Sequence, residues 1–248
     1  MIEALKENVL KAVHIAEKDA KIYFFKGPNI TFGLLFPAII YLAFSVGRTA
    51  ESPSSIIPGL VAMSSLFGAG AIESLALPLE RAKGTFDRLL VAPISLTTII
   101  VGKALGGFFF GIFLSIGYML IALLLPGAAI ANPLLFALGI VLSALAFSAL
   151  GVCISTPFRD VPQAMPPATL IRVAMVFLGG VFIPVSAMPG FLQLVAYLLP
   201  ITYAVDMLQQ ATTGQLFAQA FVIDAAALIL FSIIFFAIST VVLKRTLR

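Results

Sequence analysis

The fourteen residues between Pro78 and Pro93 gather five charged side chains that could do chemistry at a surface. That chemistry is ion pairing. Glu80, Arg81, Lys83, Asp87 and Arg88 mix both signs of charge, while Leu79, Ala82, Phe86, Leu89 and Leu90 fall on one helical face. Pro78 suits a first helical turn, where its missing N–H is no loss, and Pro93 marks an end, so a short helix is predicted over 79–92. Such a helix lies along a membrane, apolar side to lipid or span, and offers its charges to a soluble partner. The alternative is that it is an ordinary charged inner loop of a multispan protein. Catalysis is not on offer. His14 is the only histidine and Cys153 the only cysteine, so neither a Ser-His-Asp triad nor a histidine or thiolate metal site can be built in the membrane. An intrachain disulfide is excluded on the same count.

The elements that must position this loop are apolar. With 61% hydrophobic and 10% charged residues and a mean hydropathy of +1.13, too little polar surface exists to cover a water-soluble domain. The composition predicts an all-α, polytopic membrane protein. A bilayer core about 30 Å thick takes roughly 20 helical residues to cross, and six runs of about that size occur near 30–46, 56–77, 99–125, 134–154, 168–183 and 220–243. Fourteen of the fifteen basic residues fall on one side when these are threaded in order, and only Arg48 falls on the other. The positive-inside rule therefore places both termini in the cytoplasm. The opening residues are too charged for a signal peptide, because Glu3, Lys6, Glu7 and Lys11 interrupt any apolar stretch. The formal charge of +4 fits orientation and anionic lipid headgroups. No basic stripe with interleaved aromatics points to nucleic acid.

Residues 1–28 are predicted to form an amphipathic surface helix. Its apolar face is Ile2, Leu5, Val9, Val13, Ala16, Ala20 and Tyr23, and Gly27 and Pro28 end it. The remainder, 29–248, reads as one transmembrane domain. Its fifth run is punctuated by Gly179, Gly180, Pro184, Pro189, Gly190 and Pro200, so a straight helix from 168 to 211 is excluded and helical pieces re-entering the outer leaflet over about 184–206 are expected. Four-residue glycine spacing, Gly102 with Gly106 and Gly107 with Gly111, predicts close packing within the subunit. Glu73 is expected near the inner interface, and Arg172 is placed to snorkel to it. Asp206 and Asp224 are expected at the outer boundary, where each could contact a substrate headgroup but reads first as an interfacial anchor.

The segment LPLERAKGTFDRLLVAPIS resembles the cytoplasmic loop of the type-2 ABC transporter permeases, the membrane subunits of ATP-binding-cassette exporters. The matching positions are Glu80, Arg81, Gly84, Thr85, Leu89, Leu90, Pro93, Ser95, Gly102 and Lys103. A second segment, GGVFIPVSAMPGFLQLVAYLLPITYAVDML, is similar to the family's Phe-x-Pro, Met-Pro and Leu-Pro-x-Thr-Tyr segment. It carries Gly180, Pro184, Pro189, Pro200 and Tyr203. Where many members carry an arginine soon after the tyrosine, this chain has Gln209 and Gln210, so no role is carried over there.

The resemblance implies a transport subunit that is not itself an enzyme and binds no cofactor. ATP and Mg belong to a partner ABC ATPase subunit, in keeping with the lack of a GxxxxGK[ST] loop here. Two permeases, as a homodimer or with a second permease, would join two ATPases in a prokaryotic cell (inner) membrane. Glu80, Arg81, Lys83, Gly84, Thr85, Asp87 and Arg88 would form the coupling helix in a groove of the ATPase, braced by residues 1–26. A substrate path between permeases would be lined by Phe32, Phe36, Tyr41, Phe67, Phe177 and Phe182, each of which also reads as an ordinary core or lipid-facing phenylalanine or tyrosine. Short outer loops and an apolar interior suit an amphipathic or lipid-linked cargo moved outward, such as a glycolipid, a polysaccharide or a drug. The rival readings are a stand-alone secondary transporter or a channel. A secondary transporter requires broken helices at midplane and buried ionisable groups, whereas the breaks here fall near the outer end of one span and the charges read as interfacial.

Overall fold

Alternation between long apolar runs and proline- or glycine-marked breaks produces an all-α bundle in the computed structural model. The structure describes residues 2–24, 27, 31–45, 53–92, 94–125, 127–215 and 217–246, and for 2–5, Phe32, Tyr41, 44–45, Pro53 and Ile56 the backbone alone. Helix α1 (Ile2–Tyr23) is followed by a π-helical turn (Thr31–Leu35) running into α2 (Phe36–Ser45). Then come α3 (Pro53–Ala82), α4 (Thr85–Val91), α5 (Leu96–Leu123), α6 (Pro133–Ser155) and α7 (Val161–Leu178). A 3-10 turn (Val185–Ala187), α8 (Gly190–Ala196), α9 (Pro200–Thr213) and α10 (Ala218–Thr246) complete the chain.

Among the described residues five helices are long and apolar enough to cross a membrane: Ile57–Ala82 of α3, α5, α6, α7 and α10. The first expected run, 30–46, is helical over 31–45. Those residues cover about 22 Å at 1.5 Å each, short of a full crossing, and their flanks lie outside the described residues. The fifth span begins at Val161, seven residues before the expected 168. The Asp160 carboxylate caps it, accepting from the Gln163 N–H at 3.0 Å, and Pro162 sits in the first turn.

Helix α3 is the hub. The apolar stretch of its span is wholly buried inside the subunit, and it packs against α5, α6, α7 and α9. Several span hydroxyls bond carbonyls of their own helices, as Ser74 Oγ does to Gly70 O at 2.8 Å and Ser232 Oγ to Leu228 O at 2.7 Å. Those donors are thereby satisfied where water is absent.

Two local departures shape the site. Helix α3 does not stop at Pro78 but runs through it to Ala82. The break falls at Lys83 and Gly84, where Gly84 adopts φ 67° and its N–H reaches Arg81 O at 3.0 Å. A side chain at Gly84 would strain this turn. The single helix expected over 79–92 is therefore two pieces, the end of α3 and the short α4.

Helix α1 is held by Lys11 to Glu7 at 2.7 Å and Lys21 to Glu17 at 2.6 Å, both four residues apart with the acid first. These lysines hold the Glu7 and Glu17 carboxyls below their ordinary range. The docked face is Ala12, Ile15, Ala16, Asp19 and Tyr23, packed on α5, while Val9 and Val13 of the expected apolar face remain exposed. Small residues decide this rotation. A Cβ on Gly102 would lie 2.9 Å from Ile15 Cβ and 3.0 Å from Ala12 O, so only glycine lets α1 come so close. The second glycine pair also packs within the subunit, a Cβ on Gly111 falling 2.7 Å from Ala69 Cβ of α3. Gly102→Leu is expected to lift α1, at a cost of about 1–3 kcal/mol from overpacking. Hydrogen exchange over 12–23 should then accelerate while the spans stay protected.

The re-entrant expectation for 184–206 meets a sharp bend. Helices α8 and α9 are inclined at 89° across a short break. Pro189 precedes α8, Pro200 opens α9, and Gly180 takes φ 86° before the turn. Thr202 Oγ1 donates to Ala196 O at 2.6 Å and Tyr203 Oη to Tyr197 O at 2.8 Å, which pins the corner.

Candidate functional site

At the end of α3, beside α1 and α5, charges are drawn into the protein. Lys103 is 1% exposed, Asp19 0% and Glu80 4%. Lys103 Nζ lies 2.6 Å from Glu80 Oε2 and 2.8 Å from Asp19 Oδ2. Lys18 completes the group, 3.1 Å from Asp19 Oδ1 and paired with Glu80 Oε1. Burial pushes the Asp19 carboxyl up from its ordinary range, opposed by the ammonium groups of Lys103 and Lys18. Burial, with the Glu80 carboxylate nearby, also pushes the Tyr23 phenol up to about 12. Three elements distant in sequence are thus fastened by alternating charges whose separation would leave each one desolvated and unpaired.

Glu80 was expected among the charges turned to a partner, and the structure instead seats it inside this latch. Its neighbour Arg81 is half-buried and also turned inward. Arg81 Nη1 donates to Thr156 O at 2.5 Å and Phe158 O at 2.9 Å, and the guanidinium lies 5.2 Å from the ring centre of the buried Phe86. These contacts bind the loop to the end of α6. Lys83, Gly84, Thr85, Asp87 and Arg88 are exposed, and they form the free surface of the turn and of α4. A cavity of 240 Å³ opens beside them, lined by Arg81, Phe86, Asp87, Arg159 and Thr246.

Asp19 escaped the sequence analysis because it reads as one more charge on a polar helix face. Its signal was indirect: Lys103 lies inside an apolar run, where a cation needs a partner. Glu73, expected near the interface, is 0% exposed and stands two turns along α3 from Glu80 on the same face. Arg172 does not snorkel. It is 4% exposed, donates from Nε to Ala168 O at 3.0 Å, and its guanidinium lies 5.7 Å from the Phe67 ring centre. Gly70 makes room for it, since a Cβ there would come within 3.3 Å of Arg172 Cδ and Nη1.

The aromatic residues assigned to a path fall into two described pairs. Phe36 and Phe67 stand 4.7 Å apart and Phe177 and Phe182 stand 5.6 Å apart. Phe67 is 0% exposed and Phe182 7%, whereas Phe177 is exposed. Phe67 is therefore closed off in the subunit core, because α3 occupies the hub. Phe32 and Tyr41 lie in the π-turn and α2, with their side chains outside the described residues.

On the far side of the bundle the re-entrant motif frames a second cavity, of 420 Å³. Gly180, Pro184 and Ser186 form one wall, α9 another, and the start of α10 with Asp224 the third. Pro189, Pro200 and Tyr203 shape it from behind by fixing α8 and α9.

A bundle of lipid-length helices with an interior hub, a charged end loop and a bent hairpin defines an all-α, multi-pass membrane protein. The chain belongs to the ABC-2 type transporter family, whose model matches residues 22–213. It is similar to "Probable multidrug ABC transporter permease YbhR" of Escherichia coli (strain K12), 29% identical over 156 residues, 62% of this chain and 42% of that one. It is equally similar to "Inner membrane transport permease YadH" of the same strain, 29% identical over 151 residues, 61% of this chain and 59% of that one. "Nodulation protein J" of Rhizobium leguminosarum bv. viciae is 26% identical over 211 residues, 83% of this chain and 80% of that one. The match thus spans about two fifths of the first relative and three fifths of the second.

Proposed function

We propose that this permease is the membrane subunit of an ATP-driven exporter and takes its energy from a separate ABC ATPase subunit. The observation that carries the reading is the loop at the end of α3. Lys83, Asp87 and Arg88 are exposed, with Asp87 on the rim of a cavity, while Glu80 and Arg81 beneath them are fastened to α1, α5 and α6. A push on α4 would therefore pass into the bundle hub rather than be lost in a flexible loop. In this reading Lys83, Gly84, Thr85, Asp87 and Arg88 meet the ATPase, and Glu80 and Arg81 carry the load inward. Both termini are cytoplasmic, and the membrane is the prokaryotic cell (inner) membrane.

Two copies of the chain, or this chain with a second permease, would flank the cargo. The small outer connections and apolar walls support an amphipathic or lipid-linked cargo moved outward, and the exposed Phe177 is the path aromatic best placed to meet it. The exposed apolar side chains Val9 and Val13 of α1 would rest on membrane lipid. Purification in mild detergent should carry an ATPase with it, and the complex should hydrolyse ATP. Transport by the chain alone, with no ATPase attached, would favour a secondary transporter or channel instead.

A further inference from the structure

We propose that the outer cavity between the re-entrant hairpin and the last span is a subsite for an organic ammonium group on an amphipathic molecule. This refines the cargo class given above and rests on the same outward orientation. The cavity's 420 Å³ lies within the usual size of small-molecule sites, about 300–1,000 Å³. Among the described residues its lining holds two carboxylates, Asp206 and Asp224, and no lysine, arginine or histidine.

Asp224 is 7% exposed, and its Oδ2 accepts from Gln210 Nε2 at 2.9 Å. Gln210 Oε1, buried on the same side chain, has no hydrogen-bond partner among the described residues. A nearly buried carboxylate is costly unless a cation reaches it, and none of the ion pairs among the described residues involves Asp206 or Asp224. Tyr197 and Phe217 also line the cavity, and aromatic faces attract ammonium groups through their quadrupole. Two carboxylates, an unmet acceptor and two rings are the chemistry of ammonium recognition. An anionic headgroup would be repelled, and a neutral sugar would leave the carboxylates without a counter-charge.

The test uses the full chain in uncharged maltoside micelles, titrated calorimetrically with hexyltrimethylammonium. Hexyl sulfate and hexyl glucoside, titrated in parallel, carry the same tail on an anion and on a neutral sugar. The ammonium compound should bind saturably and the other two should not. Asp224→Asn should weaken binding at least about tenfold through loss of the buried charge. Asp206→Asn and Phe217→Leu, both at exposed positions, should each weaken it by a few fold and serve if Asp224→Asn fails to fold. Ammonium binding unchanged in all three variants, or equal binding of the glucoside, would overturn the proposal. No ATPase or ATP is needed, so the result is independent of whether this chain partners one. Orientation is read separately in a Cys153→Ser background. Thr213→Cys should react with an impermeant thiol reagent added outside intact cells, and reaction only from the cytoplasmic side would overturn the outer placement.

Discussion

Reversing the exposed charges of the end loop, with Lys83→Glu, Asp87→Lys and Arg88→Glu together, is expected to abolish ATP-driven transport while leaving the subunit folded. All three side chains stand in solvent, so the fold should change little: exposed substitutions away from packed features usually cost within about 0.5 kcal/mol. A charge-matched partner groove would instead meet three like-charge contacts, each costing several kcal/mol when desolvated. The expected split is unchanged detergent stability with transport and stimulated ATP hydrolysis both lost, a drop of about a hundredfold or more. Transport that survives with normal stability would remove this face from the coupling path.

The second large effect concerns Lys103. Lys103→Met should keep most of the side-chain volume while leaving Asp19 and Glu80 at 0% and 4% exposure without their buried cation, with the more exposed Lys18 alone facing both carboxylates. Breaking a buried pair by removing one partner costs about 3–5 kcal/mol. The expected result is a lower unfolding midpoint and release of α1, read as rapid hydrogen exchange through 12–23. Adding Asp19→Asn should recover part of the loss, because one stranded charge is removed with its partner. If Lys103→Met is as stable as the parent, the latch does not hold α1 to the bundle. This variant and the charge reversal separate two roles: one removes the fastening beneath the loop, the other the surface above it.

Most of the architecture was legible because membrane physics leaves few choices. Runs of about twenty apolar residues can only be helices, and four of the six expected runs correspond to single helices that reach across with ends shifted by a few residues. The fifth was displaced because the Asp160 cap and Pro162 start it earlier, in a stretch that resembles a loop. The sharp corner between α8 and α9 was readable from Pro184, Pro189 and Pro200, which exclude a straight helix through this stretch.

The site was legible in composition but not in orientation. Helical spacing finds the charged residues around Gly84, yet it cannot tell which charges look outward. That depends on Lys103 and Asp19, 84 residues apart in sequence, meeting beside Glu80. Proline was the misleading signal. Pro78 reads as a helix start, whereas burial of Leu77 and Glu80 carries α3 through it to the glycine turn. Arg172 misled for a related reason: spacing permits snorkelling, and only the missing side chain of Gly70 shows that the guanidinium can turn inward instead.

The coupling surface is tested most directly by cysteine cross-linking. Asp87→Cys, in a Cys153→Ser background, would be treated with a short bifunctional thiol reagent in native membranes, and the adduct identified by mass. The account predicts a covalent adduct between α4 and an ABC ATPase subunit, with a yield that changes between nucleotide-free and ATP-bound states. A chain that transports normally yet yields no ATPase adduct from Asp87→Cys, and none from Arg88→Cys, would contradict it.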